Sequence, residues 1–133
     1  MTSQEGTDVP LIPQPANNPE AVRAAVARVM RASLPTFDAE HAEALREARR
    51  AGNAAPMRRL VEQWAFWVAI ERYPQRAARL HQLEADAEAA DTMEEARAAV
   101  SGIGRIVDLA LTEAGIHRGP ARGKADRGPR HQR

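Results

Sequence analysis

The side chains of this sequence that could carry acid–base or metal chemistry are four histidines: His41, His81, His117 and His131. A zinc site needs three or four protein ligands, and ligands on one helix stand three or four residues apart. His81 has one neighbour at such a spacing, Glu84, and a single pair of this kind is common on the solvent-facing side of a helix. The spacing therefore predicts no metal site.

Nucleophilic and phosphate-binding motifs are not found either. The sequence has no cysteine, and Ser3, Ser33 and Ser101 lie outside any nucleophile motif. The segment 102–104, Gly-Ile-Gly, begins like a phosphate-binding loop, but it lacks a preceding strand, a third glycine and a lysine. We therefore predict a protein without enzymatic activity, with no catalytic residue and no cofactor.

The strongest charge asymmetry lies in residues 117–133, where six cations accompany one acid, Asp126. The six cations are Arg118, Arg122, Lys124, Arg127, Arg130 and Arg133. They are candidate contacts to DNA or RNA, because lysine and arginine bind the phosphate backbone. However, the segment has no aromatic residue for stacking on bases, and the excess of arginine over lysine fits the codon usage of a GC-rich genome. A solubilising tail is favoured, and nucleic-acid binding through the tail is the alternative function.

Five helices are predicted by apolar residues that recur every three or four positions, and no segment shows the alternation of a strand. The first helix ends before Pro35, and Pro74 marks either a kink or a fresh start between the third and the fourth. The predicted caps are Asn18, Thr36 and Asp91 at N-termini, and Gly52 and Gly115 at C-termini. The predicted fold class is all-α, a small bundle of four to five helices over residues 19–116. Disordered arms are predicted at both ends, proline-rich at 1–18 and basic at 117–133.

The fifth helix carries a heptad-like seam of apolar residues, which predicts packing against another helix and makes the seam a second candidate protein-binding surface. The seam consists of Met93, Ala96, Val100, Ile103, Val107, Ala110 and Ala114. Gly102 and Gly104 lie within it, and each costs about 1 kcal/mol of helix stability relative to alanine. They predict either the close approach of another helix or a break.

The third helix is apolar on two faces in its second half. Its main stripe contains Met57, Leu60, Val61, Trp64, Trp67 and Val68, and Phe66, Ile70 and Tyr73 lie on nearly the opposite side. Two interpretations remain open: other helices cover both faces, or one face binds a partner. The candidate protein-binding residues are therefore Phe66, Trp67, Ile70 and Tyr73, and the expected partner is another protein or a second copy of the chain.

Export and membrane insertion are not predicted. Residues 1–19 have neither the basic residue nor the apolar core of a secretory signal. The longest uncharged run within a helix, residues 63–70, is much shorter than the roughly 20 residues of a membrane span. These observations predict a cytoplasmic protein that does not bind membranes.

Two segments of the sequence resemble a known family. Residues 37–41, Phe-Asp-Ala-Glu-His, are followed by Ala44-Leu45, and the next helix contains Leu60-Val61-Glu62-Gln63-Trp64. Over residues 19–86 the chain is similar to an uncharacterised family of small actinobacterial proteins, domain of unknown function 6247. The resemblance implies a helical module with an antitoxin-like or regulatory binding role, because some members accompany toxin–antitoxin genes. The long fifth helix and the basic tail depart from the family's pattern.

Overall fold

Five α-helices and one turn of 3-10 helix make up most of residues 9–117, the part of the chain that the computed structural model describes. The helices are α1 (Pro19–Val29), α2 (Leu34–Ala51), α3 (Ala55–Glu71), α4 (Pro74–Ala89) and α5 (Met93–Glu113), with the 3-10 turn at Arg31–Ser33. The predicted all-α class is confirmed. Pro74 marks a fresh start and not a kink, since α4 begins at this residue.

Three of the predicted caps are confirmed at the helix ends. The side-chain oxygen of Asn18 accepts a hydrogen bond from the N–H of Ala21 at 2.7 Å, at the start of α1. Gly52 and Gly115 have φ angles of 73° and 76°. Glycine adopts this left-handed conformation without the clash of a Cβ atom, so these two residues end α2 and α5.

Two other predicted caps, Thr36 and Asp91, are displaced, by three residues and by one residue. Helix α2 begins two residues before Thr36, because Pro35 fits the first helical turn, where its missing N–H costs no hydrogen bond. Thr92 caps α5, and its hydroxyl accepts a hydrogen bond from the N–H of Glu95 at 3.0 Å. The carboxylate of Glu95 in turn accepts from the N–H of Asp91 at 2.9 Å. The capping box of α5 therefore lies one residue later than predicted.

Helix α3 lies between two groups of buried apolar side chains. The first group joins α3 to α1, α2 and the end of α5, and it contains Val22, Ala25, Val26, Phe37, Leu60, Val61, Trp64, Ala65, Val68 and Ala114. The second group joins the C-terminal half of α3 to α4 and α5, and it contains Ala69, Ile70, Ala77, Leu80, Ile106 and Ala110. The apolar character of α3 on two sides is therefore explained mainly by its central position.

Helix α5 continues through both of its glycines without a break. A Cβ atom at Gly102 would lie 2.9 Å from a methyl carbon of Leu83, so this glycine allows α4 and α5 to approach closely. At Gly104 the same position has nothing within 4 Å. Close approach is thus confirmed as the reason for Gly102, and no neighbour within residues 9–117 explains Gly104.

The described part of the N-terminal arm, residues 9–18, has no helix but lies against the helical body. The N–H of Leu11 donates a hydrogen bond to the carbonyl of Arg72 at 2.7 Å. The side-chain amide of Gln14 donates to a backbone carbonyl of α3 at 3.1 Å, and that of Asn17 donates to the carbonyl of Ala114 at 3.0 Å. Residues 9–18 are therefore more ordered than predicted, because their polar groups have partners on the body. The rest of the predicted arms, residues 1–8 and 118–133, lies outside the described residues.

Candidate protein-binding surface

An apolar groove opens to solvent between α3 and α5. Its lining consists of Phe66, Trp67, Val107, Leu111 and Ile116, with Arg59, Glu62 and Gln63 along the rim. Its volume is about 420 Å³. Trp67 is 39% exposed, and its ring meets that of Phe66 edge-on with the centroids 5.0 Å apart. We call this site the α3–α5 groove.

The structure brings together two of the four residues predicted to bind a protein. Phe66 and Trp67 both line the α3–α5 groove. Ile70 is only 1% exposed and packs against α4 and α5 in the second buried group, so it is a core residue and not part of an exposed face. Tyr73 follows α3, and the guanidinium carbons of Arg72 and Arg76 lie 4.7 and 4.0 Å from its ring centroid. Tyr73 therefore belongs to a cation–π contact away from the groove lining.

A second exposed apolar surface runs along α5 and joins the groove. It consists of Met93, Val100, Gly104, Val107 and Leu111, which at 100° per residue fall within about 60° of arc. Met93 is 68% exposed and Val100 is 58% exposed. Val107 and Leu111 also line the groove, so the two surfaces are continuous. We call this set the α5 stripe.

The predicted seam of α5 is divided between the core and this surface. Ala110 and Ala114 are buried, whereas Met93 and Val100 are exposed. The buried face of α5 is instead centred on Ala99, Gly102, Ile106 and Ala110. The seam therefore stays a candidate binding surface in its exposed N-terminal half, because the period of an apolar band does not show which of its edges the neighbouring helices cover.

Two arginines and one glutamate form an ion-pair cluster that joins the ends of α3, α4 and α5. Arg76 donates hydrogen bonds to both carboxylate oxygens of Glu113, at 2.9 and 3.0 Å, and Arg72 donates to the same carboxylate at 2.8 Å. Arg72 also donates to the carbonyl of Ile12 at 3.1 Å, which connects the arm to the cluster. Burial raises the pKa of Glu113, but the hydrogen bonds from Arg76 and Arg72 lower it more, so the net pKa lies below its ordinary value. Sequence reasoning missed this cluster, because its members are far apart in the chain.

The α3–α5 groove offers shape and apolar surface, and the side chains that line it are not reactive groups. The charges of Arg59 and Glu62 stand at the rim. Within residues 9–117, no group of three or more histidine, aspartate or glutamate side chains could hold a metal ion. The arrangement can therefore accept apolar side chains of a partner and surround them with polar groups, as protein-binding surfaces do.

Two further predictions concern other parts of the chain. The candidate nucleic-acid contacts Arg118, Arg122, Lys124, Arg127, Arg130 and Arg133 lie outside the described residues. Among the helices of residues 9–117, none is both long and apolar enough to cross a membrane.

Fold and surface together define the class of this protein, a small all-α protein with an apolar groove open to solvent. The sequence profile of a family of unknown function (DUF6247) matches residues 11–105, and the chain belongs to this family. The match extends the resemblance beyond residues 19–86, to include most of the arm that lies on the body and the first half of α5. The predicted departure from the family pattern is therefore wrong for that half of α5. No curated protein and no solved structure matches the chain.

Proposed function

We propose that this protein is a non-enzymatic protein-binding module whose docking surface is the α3–α5 groove. The observation that carries the proposal is Trp67, a tryptophan left 39% exposed beside four other apolar side chains in an open groove. Tryptophan is strongly enriched among the residues that dominate the energy of protein interfaces. An exposed tryptophan in such a setting favours a partner over simple solvation.

The size and composition of the groove fit a helix or a few apolar side chains of a partner. A tryptophan or phenylalanine buries about 150–250 Å² when fully covered. Covering the exposed parts of Trp67 and Phe66 therefore favours binding by about 25 cal/mol for each Å² of apolar surface removed from water. Arg59 and Glu62 at the rim carry opposite charges, which can orient a partner without the cost of burying a charge. We propose that this binding serves an antitoxin-like or regulatory role in the cytoplasm.

The test is site-specific photo-cross-linking in cells that express the full chain. The photoreactive amino acid p-benzoylphenylalanine replaces Trp67 in one variant and Leu109 in a matched control, since Leu109 is 48% exposed on the opposite side of α5. We expect an adduct of higher mass from position 67 and none from position 109, with mass spectrometry identifying a single cross-linked protein. We also expect Val107→Glu to abolish the adduct. Equal adducts from both positions, or none from position 67, would contradict the proposed docking surface.

A further inference from the structure

Contacts within residues 9–117 do not explain the glycine at the centre of the α5 stripe. A Cβ atom at Gly104 would have nothing within 4 Å, whereas one at Gly102 would meet Leu83. Alanine is the better helix former, so Gly104 costs helix stability, and no close contact within residues 9–117 requires it. Gly104 lies on a face of α5 where Met93 and Val100 are also exposed.

We propose that the partner of the α5 stripe and of the α3–α5 groove is a second copy of this chain, with the two α5 helices packed antiparallel. This rests on the proposed function, because it names the occupant of the same surface. A twofold axis at the level of Gly102 gives a self-complementary interface. It places Val100 of each copy opposite Gly104 of the other, so that the valine side chain fills the space above the glycine.

The charges beside the α5 stripe match the antiparallel orientation. Arg97 and Asp108 lie on the polar side of the stripe, eleven residues apart in α5, which is roughly 16.5 Å along the helix axis. Neither forms an ion pair with another residue between 9 and 117. In the antiparallel pair, Arg97 of one copy lies beside Asp108 of the other, twice by symmetry. In a parallel pair, Arg97 of one copy and Asp108 of the other would instead lie eleven residues apart in level, so this pairing could not form.

The same register provides an occupant for the groove. Met93 of the second copy lies at the level of Leu111, and Leu111 and Trp67 both line the α3–α5 groove. Met93 is the most exposed of the large apolar side chains in residues 9–117. A methionine fills irregular spaces and makes favourable sulfur contacts with aromatic rings. The most exposed apolar side chain of one copy therefore enters the apolar groove of the other.

Sedimentation velocity of the full chain over a wide range of protein concentrations tests the proposal. We expect a reversible monomer–dimer equilibrium. Val100→Glu should weaken it by about tenfold or more, because it buries a charge at the apolar contact. Leu109→Glu is the matched control on the opposite side of α5, and it should leave the equilibrium unchanged. A chain that stays monomeric at every concentration, or a dimer indifferent to Val100→Glu, overturns the proposal.

A charge-reversal cycle tests the antiparallel orientation. Arg97→Glu and Asp108→Arg should each weaken dimerisation several-fold, and the double variant should restore it, because the opposite charges again face each other between copies. The two side chains are too far apart on one helix to interact within a monomer, so rescue must come from the dimer. Additive weakening in the double variant overturns the antiparallel pairing. If the wild type is monomeric but position 67 cross-links to a different protein, the second copy is excluded and the proposed docking function stands.

Discussion

At the scale of single residues, Ile70 and Leu109 are two apolar side chains whose contributions to stability the sequence alone cannot rank. Their burial in the structure separates them. Ile70 is 1% exposed between α3, α4 and α5, and Leu109 is 48% exposed. We expect Ile70→Ala to lower the free energy of unfolding by about 2–5 kcal/mol, because it leaves a cavity in the core. Leu109→Ala should change it by less than about 1 kcal/mol. Urea denaturation at low protein concentration measures both, and equal losses would contradict the assignment of Ile70 to the core.

The two glycines of α5 give a second prediction at this scale. Both Gly102→Ala and Gly104→Ala gain helix propensity of about 1 kcal/mol. At Gly104 the new methyl group meets no atom of residues 9–117, so the monomer should gain nearly all of this. At Gly102 it would lie 2.9 Å from Leu83, whose side chain must shift, so the net gain should be smaller.

Thermal unfolding at low protein concentration measures the difference between the two glycine variants. A larger stabilisation from Gly102→Ala than from Gly104→Ala would show that the space around the two glycines is misassigned. Sedimentation of the Gly104→Ala variant adds an independent readout. If the second copy packs on the α5 stripe, the same substitution that stabilises the monomer should weaken the dimer, because the methyl group occupies the space of Val100.

At the scale of helices, the ion-pair cluster predicts how stability depends on pH. The pKa of Glu113 in the folded protein lies below its ordinary value of 4.5. Its contribution to stability is therefore fully present above about 4.5 and is lost as the pH falls through the lower, folded-state pKa. We expect the wild type to lose stability in acid. Glu113→Gln should be less stable at neutral pH, because Arg72 and Arg76 lose their charged partner, and it should lose less on acidification.

An exposed glutamate provides the control for this measurement. Glu43 also has a lowered pKa, chiefly through its hydrogen bond with Arg46, but both side chains are exposed. Solvent screens such a pair, so Glu43→Gln should leave the pH dependence of unfolding almost unchanged. Denaturation curves at a series of pH values compare the three proteins. Parallel curves for the wild type and Glu113→Gln would argue against the cluster as a source of acid sensitivity.

The helices themselves were predictable from local chemistry. Asn18, Gly52, Gly115 and Pro74 act through the backbone within one turn, so their types and positions identify helix ends without any tertiary information. The start of α5 is predicted one residue too early, because Asp91 and Thr92 are both good N-cap residues and the sequence does not show which of them caps the helix. The contacts of residues 9–18 were missed for a different reason: their hydrogen-bond partners are 51 to 97 positions away in the chain.

The candidate surface was predictable only in part. Phe66 and Trp67 were found because the apolar surface on the two faces of α3 exceeds the area that one neighbouring helix can cover. Ile70 was a candidate binding residue and is a core residue in the structure, because periodicity gives a direction around α3 but not the positions of α4 and α5. The same limit applies to α5, where the period identifies the apolar band but does not show that its edge with Met93 and Val100 is the exposed one.

At the scale of the whole molecule, the charge is distributed unevenly between the helical body and the tail. The chain has a net charge of +1, while residues 118–133 contain six cations and a single acid. The proposed groove leaves these cations without an assigned role. Nucleic-acid binding, their alternative role, can be tested separately from protein binding at the α3–α5 groove, because the two functions involve different residues.

The prediction for the tail compares the full chain with a chain that ends at His117. If the six cations bind phosphates, the full chain should bind DNA or RNA with a slope of log affinity against log salt of about −5, and removing residues 118–133 should abolish both affinity and slope. Replacing the tail arginines with lysine keeps the charge and should preserve the slope, whereas glutamine should remove it. Neither change should affect cross-linking at position 67. Equal affinity with and without the tail would assign these cations to solubility, because counterion release requires that they contact the nucleic acid.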